Sequence, residues 1–175
     1  MKLVILGLGY SAGFFARAAL ARGWEVTGTV RSAEKAASLS RDGLRTLVFG
    51  GFAVSSPLAA ALAEAHAVLV SVQPDEEGDP VLRTLADKLA AAPNLRWIGY
   101  LSTIGVYGDH GGAWIDETAE ARPTSRRSRQ RLDIERDWLS LASAAASRCR
   151  SSGSPASMGR AATPSPNCAP APPTG

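Results

Sequence analysis

The chain is short of nearly everything that would mark a membrane, metal or disulfide-stabilised protein. It has two cysteines in 175 residues, Cys149 and Cys168, both near the end. They offer neither a metal spacing nor a disulfide framework. No apolar run approaches the roughly 18–20 residues that a membrane-spanning helix needs, which excludes that class. The opening, MKLVILGLGYSAG, joins a lysine to an apolar stretch, but its glycines arrive too early for a secretory signal. A cytoplasmic location with no metal site is therefore expected. Lysine is scarce, 3 residues against 16 arginines, a usage that reflects GC-rich coding sequence rather than a demand for bidentate contacts. The net charge of +3 is also confined: residues 1–141 hold all 16 acidic and 16 of the 19 basic residues, and the surplus is Arg148, Arg150 and Arg160. The alkaline balance thus predicts no nucleic-acid surface on the folded part.

The last segment lacks most. From Ala142 to Gly175 there is no Leu, Ile, Val, Phe, Tyr, Trp, Asp or Glu, while six of the 11 prolines fall there. So little apolar surface does not offset an ordering entropy of roughly 1–2 kcal/mol per residue. Residues 1–146 are expected to form one folded domain, followed by a disordered, low-complexity tail over 147–175.

What is present alternates regularly. Apolar strand-like runs are predicted at Lys2–Leu6, Glu25–Val30, Arg45–Phe49, Ala67–Val72 and Arg96–Leu101. Helical spacing appears at Ser11–Arg22, from Ser32 to about Leu39, and at Pro57–His66 and Pro80–Ala92, with a long last helix from about Thr124 to Ala146. Strands alternating with helices predict βαβ units: a doubly wound parallel α/β sheet of about five strands, ordered 3-2-1-4-5. In the last helix Ile134, Trp138 and Leu141 recur at i, i+4 and i+7 and should face the core.

The first strand runs into Gly7-Leu8-Gly9-Tyr10-Ser11-Ala12, a G-x-G-x-x-A opening a helix. Gly7 would allow the tight turn and Gly9 the approach of a pyrophosphate. Ala12 would allow close packing of helix on strand, and the helix N-terminus, at Tyr10 and Ser11, would face the phosphates. In this strand–turn–helix context the motif predicts dinucleotide binding rather than a plain turn. The second strand ends Thr29-Val30-Arg31-Ser32, with no carboxylate for ribose hydroxyls and an arginine where a 2′-phosphate would lie. NADP is therefore expected ahead of NAD, the alternative being that Arg31 is merely solvated.

After the fifth strand comes Leu101-Ser102-Thr103-Ile104-Gly105-Val106-Tyr107-Gly108-Asp109. Together with the glycine turn, this resembles the extended short-chain dehydrogenase/reductases, the NAD(P)-dependent epimerase/dehydratases, and most closely their atypical members. The resemblance covers about residues 1–141 and implies a Rossmann fold acting on a carbonyl/hydroxyl pair, on a small and sugar-like substrate. It places Thr103 on the substrate oxygen, the alternative being a hydroxyl that caps the strand end. The family's Tyr-x-x-x-Lys is altered: if Glu135 is the glutamate that commonly follows it, Arg127 and Arg131 stand at the Tyr and Lys positions. Arginine stays charged near neutrality and does not exchange protons there. Arg131 could still hold a ribose or phosphate, but the proton-transfer role does not carry over to Arg127. Tyr107 and His110 are the substitute acids in the loop, with His110 the weaker candidate.

The family continues into a sixth strand and a Y-G-P-G motif, and neither is expected in this chain. Read one base out of frame with permitted codons, the tail from about Ser147 admits an apolar run followed by Y-G-P-G-R. A frameshift near residues 142–147 is therefore expected, against a genuine low-complexity tail. The functional expectation is an NADP(H)-binding oxidoreductase or epimerase-like protein. The alternatives are a non-catalytic NADP(H) sensor and an inactive truncated fragment. A homodimer through the long helix stays open, and neither nucleic acid nor membrane is expected as a partner.

Overall fold

The computed structural model describes residues 1–40, 44–152 and 157–160, with side chains described as far as residue 143. Five parallel strands, β1 (Lys2–Leu6), β2 (Glu25–Val30), β3 (Arg45–Val48), β4 (Ala67–Val70) and β5 (Trp97–Tyr100), alternate with α1 (Tyr10–Leu20), α2 (Ala33–Leu39), α3 (Ser56–Glu64) and α4 (Pro80–Ala91). A short 3-10 turn, Ile104–Val106, and the long α5, Arg126–Ser152, follow. The expected strand order is observed, with one addition. A sixth strand, β6 (Ser157–Arg160), pairs in parallel with β5, giving β3-β2-β1-β4-β5-β6. Its sequence, SMGR, has one large apolar residue and no alternation, so no periodicity announces it. The last helix also runs to Ser152, beyond the expected end at about Ala146. The rest of the tail expected to lack order, residues 153–156 and 161–175, lies outside the described residues.

The central strands β1 and β4 are short continuous apolar runs because both faces of the sheet are covered there. Odd positions of β1, Leu3 and Ile5, pack with Val26, Leu69 and the small residues Ala12, Ala16 and Ala19 of α1. Even positions, Val4 and Leu6, pack with Val68, Val70 and the leucines of α3 and α4. Ile134 and Trp138 of α5 join this second core, and Leu141 is packed against it, as the i, i+4, i+7 spacing predicts. Among the described residues no helix is long and apolar enough to cross a membrane.

Capping fixes the helix starts. Ser32, Ser55 and Asp79 each accept N–H bonds at the N-termini of α2, α3 and α4. Asp79 does more: one carboxylate oxygen takes the Val81 N–H at 2.7 Å while the other takes the indole N–H of the fully buried Trp138 at 2.8 Å. One buried carboxylate thus joins the start of α4 to the middle of α5.

Candidate functional site

Strand order reverses between β1 and β4, and the crevice outside the carboxyl ends of a doubly wound sheet is where ligands bind. A cleft of about 880 Å³ lies there, toward the upper end of the roughly 300–1,000 Å³ typical of ligand sites. Its floor is the glycine turn. Gly7 adopts φ +90°, and a Cβ there would stand 2.9 Å from the backbone of Ser71 and Val72, so β1 and β4 approach this closely only around a glycine. The turn is also pinned from β2: Thr29, fully buried, accepts the Gly7 N–H on its hydroxyl at 2.9 Å and the Leu8 N–H on its carbonyl at 2.7 Å.

α1 starts differently from its neighbours. Gly9 precedes it with no side-chain cap, so the first-turn N–H groups carry the partial positive charge of a helix start without an internal oxygen. A Cβ at Gly9 would meet no atom within 4 Å, leaving room for a ligand to approach the backbone. Gly7, Gly9, Tyr10 and Ser11 line the cleft, while Ala12 is buried against β1 and contributes packing. Such a cradle of backbone donors fits a pyrophosphate.

Arg31 and Ser32 line the far wall, where β2 ends. The Ser32 hydroxyl accepts the Lys35 N–H at 3.3 Å, and Lys35 also borders the cleft, a second cation that the strand-end motif did not single out. Phe49, Gly50, Gly51 and Phe52 close this end. Their run FGGF is the only local signal that could have marked them.

At the opposite end stand Ser71, Gln73, Ser102 and Arg131. Arg131 donates to the Leu101 carbonyl at 2.8 Å, and its guanidinium lies 5.1 Å from the ring centre of Tyr100. Burial pushes the Tyr100 hydroxyl well above the usual phenol range; Arg131 opposes this while Asp79 and Glu135 add to it. The Ser102 hydroxyl is buried with no hydrogen-bond partner among the described residues.

The predicted residues are thus brought together in part. Gly7, Gly9, Tyr10, Ser11, Arg31, Ser32 and Arg131 share one cleft. Thr103 is exposed beside it, its hydroxyl accepting the Gly105 N–H at 3.3 Å to cap the 3-10 turn. Tyr107 is half-buried behind that turn, its carbonyl bonded to the Arg122 N–H and to the His110 ring. Thr29, Lys35 and Ser102 were not singled out, because a lone Thr, Lys or Ser carries no spacing of its own.

A family model described as NAD(P)H-binding matches residues 8–136. No curated protein matches. Among solved structures, a functionally unknown conserved protein from Silicibacter pomeroyi DSS is 39% identical at a TM-score of 0.68, over 80% of this chain and 49% of that one. A UDP-glucose-4-epimerase from Stenotrophomonas maltophila, solved with bound NAD and formylated UDP-arabinopyranose, is 20% identical at 0.59, over 82% of this chain and 49% of its own. A yeast methylglyoxal/isovaleraldehyde reductase complexed with NADPH is 15% identical at 0.63, over 80% and 49%. The last two likenesses are of fold. The chain spans about half the length of these structures.

Proposed function

Because the chain belongs to the NAD(P)H-binding family, we propose that its cleft holds NADP(H) and serves oxidation or reduction of a carbonyl/hydroxyl pair on a small, sugar-like substrate. The bound cofactor supplies or accepts a hydride. Gly7, Gly9 and the uncapped N–H groups at Tyr10 and Ser11 hold the pyrophosphate, and Ala12 keeps α1 close enough to do so. Arg31, Ser32 and Lys35 receive the 2′-phosphate. Arg131 faces the ribose end, and Thr103 and Tyr107 border the substrate from the loop after β5, with Thr103 on the substrate oxygen.

The observation that carries the reading is the positive character shared by the start of α1 and the end of β2. The helix start has donors without a cap, and the strand end offers two cations and no carboxylate. An anionic, phosphate-bearing cofactor satisfies both. Titration of the protein with NADPH and with NADH checks this. NADPH is expected to bind at least about tenfold more tightly, the value of one charge-assisted contact. Equal dissociation constants overturn the NADP preference, and failure of both to bind overturns the reading.

A second reading is favoured by Arg127 and Arg131 standing where the resembling family has Tyr and Lys. A dinucleotide fold lacking that proton donor would serve as a non-catalytic NADP(H) sensor. NADPH affinity without hydride transfer favours the sensor. Turnover that vanishes in Thr103→Ala favours the enzyme.

A further inference from the structure

The end of the cleft beside β4 and β5 has a charge pattern that cofactor binding does not use up. Arg127 and Arg131 are four residues apart on α5 and therefore share a face. Arg131 lines the cleft and is anchored by one N–H to the Leu101 carbonyl, while its Nε is buried with no hydrogen-bond partner among the described residues. Arg127 reaches across to the loop after β4, its guanidinium 3.5 Å from the Gln73 side-chain oxygen, and Gln73 also lines the cleft. Between the two arginines, Gln130 donates to the Asp75 carbonyl at 2.7 Å, which ties this stretch of α5 to the same loop.

The acids of this region have partners of their own, and Glu135, buried four residues on from Arg131, is not free either. Asp75 receives two bonds from Arg83, at 3.2 and 2.8 Å, which hold its carboxyl below the usual carboxylate range. Asp133 pairs with Arg136 and Glu120 with Arg122. Among the described residues neither Arg127 nor Arg131 has a carboxylate within ion-pair distance, whereas Lys2, Arg83, Arg122 and Arg136 all do. Arg131 on the cleft wall with the unsatisfied Ser102 hydroxyl, and Arg127 one turn earlier against the cleft-lining Gln73, together offer permanently charged donors to anionic oxygens.

We propose that Arg127 and Arg131 bind an anionic group of the substrate, a carboxylate or a phosphoryl, and so select acidic substrates for this cleft. The proposal rests on the reading of the cleft as a dinucleotide site, in which Arg131 stands where the cofactor's ribose end meets the substrate. It also gives the two arginines a task that requires permanent charge, in place of the proton transfer they do not perform.

The experiment is calorimetric titration of the protein, with and without saturating NADP, using oxalate as the carboxylate probe and inorganic phosphate as the phosphoryl probe. At least one probe is expected to bind, and its affinity should fall about tenfold or more in both Arg127→Gln and Arg131→Gln. The Arg127→Lys variant should recover part of the loss, because charge returns without the fork. NADPH titrations and circular dichroism on each variant separate folding and cofactor binding from the probe. Arginine-dependent binding of either probe in the cofactor-free protein supports the proposal even if NADPH does not bind. The proposal is overturned if neither probe binds, or if binding survives both Arg→Gln substitutions.

Discussion

Gly7 and Gly9 stand two residues apart in one turn, and what a side chain would disturb differs between them. At Gly7 the reason is internal: φ is +90°, and a Cβ would press on the Ser71–Val72 backbone at 2.9 Å. Gly7→Ala therefore combines left-handed backbone strain with separation of β1 from β4. A loss of at least about 2 kcal/mol is expected in urea unfolding. At Gly9 nothing lies within 4 Å and φ is −93°, so the protein tolerates a methyl there. Gly9→Ala should keep its stability to within about 0.5 kcal/mol. It should nevertheless bind NADPH at least about tenfold more weakly, since the methyl stands where the pyrophosphate would approach. Denaturant titration and NADPH titration of both variants check the pair. If Gly9→Ala binds NADPH as tightly as the parent, the pyrophosphate does not sit over this turn.

At the scale of elements, the βα alternation was legible because each strand is a bounded apolar run and each helix has a stop or a cap in its sequence. Ser32 caps α2, and the Ile134–Trp138 stripe faces the core, as those local signals predict. β6 was not legible, since Ser-Met-Gly-Arg has neither strand propensity nor alternation and takes its place from the open edge of β5. The cleft walls contributed by Lys35, Gln73 and Ser102 were equally silent, since only the strand order brings them together. The same holds for the Asp79–Trp138 bond, which joins residues 59 apart in sequence. Asp79→Ala removes the α4 cap and leaves the indole N–H buried without its acceptor. The expected cost is about 2–4 kcal/mol, from about 1 for the cap and 1–3 for the orphaned donor. Trp138→Phe should cost about 1–3 kcal/mol, and the double variant should cost less than the sum. Urea midpoints at constant m-value measure all three. Strict additivity would show that the two side chains are not coupled.

For the whole molecule, the cleft is assembled from the segments that follow β1 to β5 and from residues of α1, α2, α4 and α5. A ligand that bridges these elements binds only the folded chain, so its affinity must appear as global stability. At a free NADPH concentration about 100 times its dissociation constant, the stabilisation is about 2.7 kcal/mol. For a domain of this size, that raises Tm by roughly 5–10 °C. NADH at the same concentration, binding at least about tenfold more weakly, should give at most about half that gain, because the effect is logarithmic in affinity. Thermal unfolding followed by circular dichroism, with each nucleotide in turn, makes the measurement. A parallel run on Arg31→Ala locates the discrimination: its NADPH shift should fall to the NADH value while the NADH shift stays constant. If both shifts fall together, Arg31 contributes to dinucleotide binding in general. The preference for the 2′-phosphate would then rest with Lys35, across the same strand end.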